Sequence, residues 1–496
     1  MFLEYILKPF GEIVETCATS NAFCINEKFY TYNEFARHIS KIRKVLRTTN
    51  PASKNIGLVA NDDIETYASI FAIWLEGMAY VPLHPKQPAE RSLEIISQAN
   101  IEVVINSLHN NLFPSIKNIE SSSLVFDELL LIPEQVPEDA LAYILFTSGS
   151  TGKPKGVPIV RGNVGAFMKS FFEVGFEVSR LDRCLQCFDL TFDVSVQSFL
   201  VPLTKGACTF TIPHDQIKYS YVYGLMDDHD LTFSVMAPSM IRYLKPYFDE
   251  INVASMKYCI LTAEASPVDL VNEWSKCIPN AGIYDFYGPT EATIYCTYYK
   301  FNIKGDNKQL NGMLSIGKAM NGVKAIIVDD NKNILGANSK GELCISGKQL
   351  TPGYWKNPEK NSESFFNLIV DGTSLRFYKT GDLCYMDNAG DIMYSGRLDF
   401  QVKIQGYRIE LGEIEYHARE GINGGNAVAS TFENKTGNTE IALFVEGESH
   451  DLALLTEYLK SKLPFYMLPT KNICLDSFPI NTNGKIDRIA LKKMLN

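Results

Sequence analysis

Leu141-Ala142-Tyr143-Ile144-Leu145-Phe146, followed at once by Thr147-Ser148-Gly149-Ser150-Thr151-Gly152-Lys153-Pro154-Lys155-Gly156, is the stretch on which the reading of this chain turns. The first six residues are apolar and β-rich and end at a Gly/Ser turn, the pattern of a buried strand. The string behind them holds three glycines, four hydroxyls and two lysines. Backbone N–H groups and hydroxyls left free by such a loop can wrap polyphosphate oxygens, and the lysines add charge. The segment therefore reads as a triphosphate loop. It is not a Walker A loop, because Lys153 is followed by Pro154, which cannot continue a helix interior. Kinase chemistry is unsupported, since no HRD or DFG element lies downstream. A plain Gly/Ser surface loop would share the composition, but not so ordered a string directly behind a buried strand.

Outward from this loop the same texture repeats. Towards the N-terminus, the runs IGLVA, AYVPL and IEVVI alternate with helical stretches such as TYASIFAIWLEG. Towards the C-terminus, NVGAFMKSFFEV predicts a helix capped by Asn163, and TFSVMA, YCILTA and AGIYDFY predict further strands. Strands alternating with helices define an α/β layered core. After about residue 315 the pattern changes to short strands with turn signals, and KAIIVDDNKNILGANSKGELCISG predicts a hairpin in a smaller β-rich subdomain. Ser395 to Asp399 lie between two predicted strands as a joint. The tail, with IALFVEG as a strand and LALLTEYLKSKL as a helix stopped by Pro464, predicts a separate small α+β unit.

Composition narrows the function classes. At 496 residues the chain is long enough for several structural units, and 46% hydrophobic with 21% charged residues is the balance of a packed globular protein. A net charge of −10 without a basic cluster argues against nucleic acid. No apolar run reaches the roughly 20 residues of a membrane span, and no signal-peptide pattern opens the chain, so a cytoplasmic protein with no membrane insertion is expected. The 11 cysteines form no regular framework, which predicts reduced thiols. Cys184 and Cys187 make a lone CxxC without the second pair that a zinc site needs.

Further motifs follow the loop in order. Pro82-Leu83-His84-Pro85 with Arg91, Tyr287-Gly288-Pro289-Thr290-Glu291, Tyr378-Lys379-Thr380-Gly381-Asp382, Arg397 through Glu415, and Asn483-Gly484-Lys485-Ile486-Asp487-Arg488 stand in series along nearly the whole chain. Together with the loop they resemble the adenylate-forming superfamily of acyl-CoA synthetases, nonribosomal peptide synthetase adenylation domains and luciferases. The resemblance implies a large core, residues 1–398, of α/β layers and a β-rich subdomain, and a small mobile lid, residues 399–496, carrying the catalytic lysine. It implies ATP and Mg²⁺ as cofactors. Thr147, Ser148, Gly149, Ser150, Thr151, Gly152, Lys153 and Lys155 would hold the phosphates, Tyr287 and Gly288 would flank the adenine, and Asp382 would accept the ribose hydroxyls. Lys485 would bridge the acid carboxylate and the α-phosphate, with Thr290 touching that phosphate and Arg397 adding a fixed cation. Glu291 would hold the metal. Asp399 is the implied hinge, and Gly406 would leave room in a thiol tunnel.

Phe192-Asp193 matches the pocket motif of the amino-acid-activating members, in which the aspartate pairs with the substrate ammonium. The rest of the implied pocket is Val194, Gln197, Val235, Ile260, Thr262, Phe286, Ile294 and Tyr295. The implied reaction is activation of an amino acid as an aminoacyl-adenylate and transfer to the phosphopantetheine thiol of a carrier protein supplied in trans. The chain looks freestanding and similar to D-alanine:D-alanyl carrier protein ligases, although that group typically has Cys-Gly-Glu where this chain has Thr262-Ala263-Glu264. The alternatives are an aryl- or acyl-CoA ligase, which shares the nucleotide motifs, and a non-catalytic adenylate-binding protein.

Overall fold

The computed structural model describes residues 1–149, 152–213, 216–422, 424–447, 450–481 and 486–495. The chain forms two compact units, one of Met1–Pro85, Ile96–Leu145 and Gly156–Leu398, the other of Lys86–Ile95, Phe146–Lys155 and Asp399–Asn496.

In the first unit the apolar runs become inner strands of two sheets. One has six strands in the order Lys117–Glu120, Val103–Asn106, Asn55–Val59, Ala79–Leu83, Leu141–Thr147, Lys155–Val160. Asn55–Val59, Ala79–Leu83 and Val103–Asn106 are buried at every position, as parallel strands covered on both faces must be. The helix Ile64–Leu75 beside them is buried at every position but Glu65 and capped by Asp63, whose carboxylate accepts the Thr66 N–H at 2.8 Å. The helix Tyr32–Thr49 opens on a reciprocal capping box between Thr31 and Glu34.

The second sheet has nine strands, of which Asn21–Ile25, Cys208–Thr211, Arg183–Gln186, Phe233–Met236, Tyr258–Leu261 and Gly282–Tyr287 run parallel. Strand alternation divides its side chains between two cores. Val235, Ile260, Tyr284 and Phe286 join one, while Met236, Cys259, Leu261 and Ile283 join the other. The same division separates the CxxC pair: Cys184 lies in the first core and Cys187 in the second, so the two thiols do not share a ligand site.

The β-rich part is a five-stranded antiparallel sheet built on Val323–Val328, Gly341–Gly347, Phe365–Val370, Thr373–Met386 and Ile392–Arg397. Its first two strands are the predicted hairpin. Ser395, Gly396 and Arg397 end the last strand rather than forming a joint outside it. In the second unit, Ala427–Glu433, Thr439–Glu446 and Lys471–Leu475 form a three-stranded sheet packed by the helices Leu411–Gly421, Leu452–Lys462 and Arg488–Lys493.

One local expectation is corrected. Asn163 is not the cap residue of its helix, which starts at Arg161 after Val160; it sits in the first turn, where its side chain accepts the Val160 N–H at 3.0 Å and donates to the Lys348 carbonyl at 2.7 Å. The orphan donor of the helix start is still satisfied, from inside the helix rather than from before it. No helix among the described residues is long and apolar enough to cross a membrane.

Candidate active site

In the first unit, the strand Gly282–Tyr287 delivers Tyr287 and Gly288 into a sharp return that ends at Tyr295. A β-carbon on Gly288 would fall 2.3 Å from the Ile294 carbonyl oxygen, so only glycine fits there. Thr293 and Ile294 hold φ of 56° and 74°, a region that β-branched residues avoid. The strained backbone is pinned by Gln349, which sequence reasoning did not single out: its side-chain amide donates to the Tyr295 carbonyl at 2.7 Å, and its backbone carbonyl accepts the Thr293 hydroxyl.

Asp382 sits on the strand Thr373–Met386, paired in register with Arg397 on Ile392–Arg397. Its carboxylate accepts Arg397 Nη1 at 2.9 Å on one oxygen and the Tyr287 hydroxyl on the other. Arg397 also donates to the Thr380 carbonyl at 2.9 Å. Burial first, then the charge of Asp382, pushes the Tyr287 hydroxyl well above its ordinary pKa, so it stays a proton donor to that carboxylate. Three predicted nucleotide residues are thus brought together. Glu291 is buried beside them in sequence after Thr290, and its carboxylate accepts the hydroxyl of Tyr354 at 2.6 Å. Tyr354, itself within 3.3 Å of the Tyr378 hydroxyl, also escaped the sequence reading; its only signal was an aromatic pair after Pro352-Gly353. His84 of the early motif meets Asp189 at 2.9 Å.

The predicted pocket residues also assemble. Phe192 precedes, and Asp193 begins, the helix Asp193–Leu203, with Asp193 only 8% exposed. Val194, Val235, Ile260, Phe286, Ile294 and Tyr295 all belong to one core, and Thr262 follows Ile260 on the same side of the chain. The Phe286 ring lies 5.0 Å from Tyr295 and stacks on Tyr298 at 5.4 Å. Burial, reinforced by the nearby Asp193 charge, raises the hydroxyl pKa values of Tyr80, Tyr143 and Tyr295. Tyr80 and Tyr143 were absent from the predicted pocket; they come from parallel strands paired at Tyr80↔Tyr143, a juxtaposition no local pattern announces.

The described residues of the predicted phosphate loop up to Lys155 belong to the second unit. Ser148 Oγ donates to the Arg408 carbonyl at 3.1 Å, Gly149 N–H donates to Glu413 Oε2 at 2.9 Å, and Lys155 Nζ lies 3.2 Å from Glu410 Oε1. Thr147 reaches the Lys155 carbonyl at 3.4 Å, and Lys153 is exposed. Gly152 has φ +78° and faces the Tyr416 ring, which a β-carbon would strike. Arg91 of the early motif is buried against Glu413. Gly406 takes φ 81° in the tight turn joining Gln401–Ile404 to Tyr407–Glu410, and Asp399 accepts the Gln401 N–H at 3.1 Å. Ser150, Thr151 and Lys485 lie outside the described residues.

With this arrangement in view, the comparisons agree. The chain matches the AMP-binding enzyme family over residues 14–355. It is 30% identical over 496 residues to tyrocidine synthase 1 of Brevibacillus parabrevis, a match covering 97% of this chain and 44% of that protein. It therefore spans less than half the length of that relative. Among solved structures it resembles the adenylation domain AlmE of Vibrio cholerae in complex with glycyl-adenosine-5′-phosphate, at 23% identity and a TM-score of 0.85 over 98% of this chain and 97% of that one. It likewise resembles holo-PA1221, an NRPS protein containing adenylation and PCP domains, at 21% identity and a TM-score of 0.85 over 98% of this chain and 83% of that one. The chain belongs to the AMP-binding enzyme family.

Glu413 places a carboxylate on a backbone donor of the predicted phosphate loop, and a phosphate bound there as the resemblance implies would compete with it. Glu413→Gln removes that charge and leaves one acceptor oxygen where Arg91 and Gly149 now use one carboxylate oxygen each. The expected result is a fall of roughly three- to tenfold in the KM for ATP, since a smaller fraction of molecules then holds the loop closed to phosphate. An unchanged or raised KM in steady-state assays would show that the contact does not compete with nucleotide.

Proposed function

We propose that this protein uses ATP to activate an amino acid as its aminoacyl-adenylate, releasing pyrophosphate, and then passes the aminoacyl group to the phosphopantetheine thiol of a separate carrier protein. The observation that carries the reading is Asp193, a carboxylate held 8% exposed at the start of a helix and set among the buried aromatic and aliphatic side chains of one core. A buried carboxylate facing an α-amino group makes a charge-assisted bond that also selects against plain acids, and this is the role the resemblance gives Asp193. The acid carboxylate of the same substrate would then face the nucleotide residues.

In the first step a carboxylate oxygen bonds to the α-phosphorus as the bond to pyrophosphate breaks, and in the second a thiolate attacks the acyl carbon as AMP leaves. Both steps gather negative charge, so catalysis rests on positioning and fixed positive charge. Asp382 accepts the ribose hydroxyls, with Tyr287 and Arg397 orienting it, and Arg397 lends its cation to the phosphate side. Gly288 lets the strap approach the adenine closely. Thr290 donates to the α-phosphate. Ser148, Gly149, Gly152, Lys153 and Lys155, with Ser150 and Thr151, hold the β- and γ-phosphates, and Lys485 bridges the carboxylate and the α-phosphate. Glu291 suits Mg²⁺, which takes hard carboxylate oxygens; Tyr354 fixes one of them, and the ion when bound neutralises polyphosphate charge. Residues 399–496 act as a lid turning about Asp399, and Gly406 clears the path of the thiol arm.

The test is hydroxylamine-driven pyrophosphate release with ATP, Mg²⁺ and a panel of L- and D-amino acids, aryl acids and short fatty acids. Release confined to a few amino acids, and reduced at least about 10²-fold by Lys485→Ala, is expected. Release with aryl or fatty acids alone would transfer the protein to the CoA ligases.

A further inference from the structure

The helix that begins with Asp193 carries Gln197 one turn later, on the same face. Gln197 is fully buried, yet neither its amide oxygen nor its amide nitrogen has a hydrogen-bond partner among the described residues. The hydroxyl of Tyr143, which senses the charge of Asp193, is equally buried and without a partner among the described residues, and that of Tyr295 senses the same charge beside the Thr262 side chain. Buried polar groups are nearly always paired, and an amide with both ends unsatisfied is among the costlier arrangements a core can hold. Gln197 and Tyr143, both near one carboxylate, mark a place where a ligand completes the hydrogen bonding.

The chemistry of that ligand follows from the lining. Gln197 offers one acceptor and one donor direction, and each tyrosine hydroxyl offers both. The surrounding predicted pocket residues, Val194, Val235, Ile260, Phe286 and Ile294, are apolar, and none carries positive charge to offset an acidic group. Asp193 itself opposes a second carboxylate. Phe286 packs against Tyr295, Tyr298 and Phe171, and such large rings among the predicted pocket residues limit the space for a substrate side chain.

We propose that the amino acid activated here has a short, neutral side chain that both donates and accepts hydrogen bonds, a carboxamide or a hydroxyl, and that Gln197 with Tyr295 selects it. This rests on the amino-acid reading above and names the substrate class of the same pocket. A site whose buried polar groups are satisfied only by the correct side chain rejects an apolar isostere strongly, because the wrong substrate leaves those groups unpaired.

The experiment is amino-acid-dependent pyrophosphate exchange with pairs matched in size: asparagine against leucine, threonine against valine, serine against alanine. In the wild-type protein the polar member of at least one pair is expected to exceed its apolar partner by about 100-fold or more in kcat/KM. Gln197→Met should reduce that ratio to below about tenfold, and Tyr295→Phe should reduce it as well, with folding of both variants checked by thermal melting. Preference of the wild-type protein for the apolar members, or a ratio untouched in both folded variants, would overturn the assignment while leaving amino-acid activation intact. Exchange with aryl or fatty acids and with no amino acid would instead remove the underlying reading, and this assignment with it.

Discussion

Asp193→Ala is expected to lower kcat/KM for amino-acid-dependent pyrophosphate exchange by about 10³-fold, the largest effect of any single pocket substitution. Truncating one member of a buried, hydrogen-bonded charge pair costs about 2–5 kcal/mol, much of it because the other charge stays buried without a counter-ion. With a bound ammonium Asp193 would be in that situation: it is 8% exposed, begins a helix whose every residue is buried, and lies near three tyrosines whose hydroxyls burial first, and then its charge, keeps protonated. An ammonium bound there after the mutation would have hydroxyl dipoles but no anion. Asp193→Asn should recover part of the loss, because the amide oxygen still accepts. Aryl acids, which have no ammonium, should be handled no worse by the alanine variant. Equal activity of Asp193→Ala and wild type towards the preferred amino acid would end the role assigned to this residue.

Asp382→Ala is expected to raise the KM for ATP by about 10²-fold. Hydrogen bonds to a charged group contribute roughly 1.5–3 kcal/mol each, and this carboxylate would take two from the ribose. The substitution also leaves Arg397 and the Tyr287 hydroxyl without their shared acceptor. Asp382→Asn separates the two contributions, since it keeps an oxygen in place and should raise KM only about tenfold. Nucleotide titration read by intrinsic fluorescence, alongside steady-state kinetics, checks both figures; an ATP affinity unchanged in the alanine variant would place the ribose elsewhere.

Much of the architecture was legible because it is written in local patterns. IGLVA, AYVPL and IEVVI are continuous apolar runs, and they became strands buried on both faces, as parallel pairing demands. The turn-rich run after residue 320 became an antiparallel hairpin, and the helix Leu452–Lys462 stopped just before Pro464. Asn163 was misread because a polar residue near a helix start satisfies the same orphan N–H from the first turn as from the cap position. The partners that complete the site were hidden for a different reason. Glu413 meets Gly149 across 264 positions of chain, and Tyr354 meets Glu291 across 63. Gln349 reaches Tyr295 across 54. Motifs mark the residues that would touch ligand, but the groups that hold those residues in place are chosen by tertiary packing and leave no periodic trace.

With the proposed function, the return from Tyr287 to Tyr295 would make nucleotide chemistry and acid selection two ends of one sprung piece of chain. Tyr287, Gly288, Thr290 and Glu291 occupy its first half, Ile294 and Tyr295 its last, and between them Thr293 and Ile294 stand in a backbone conformation that stores roughly 1–3 kcal/mol at each. Retuning this pocket by exchanging Ile294 for a smaller or more flexible residue would therefore slacken the spring as well as reshape the cavity. An engineer seeking a new substrate should expect turnover to drift with every change at that position, and should find Val235 and Ile260, anchored in the parallel sheet, the quieter places to begin.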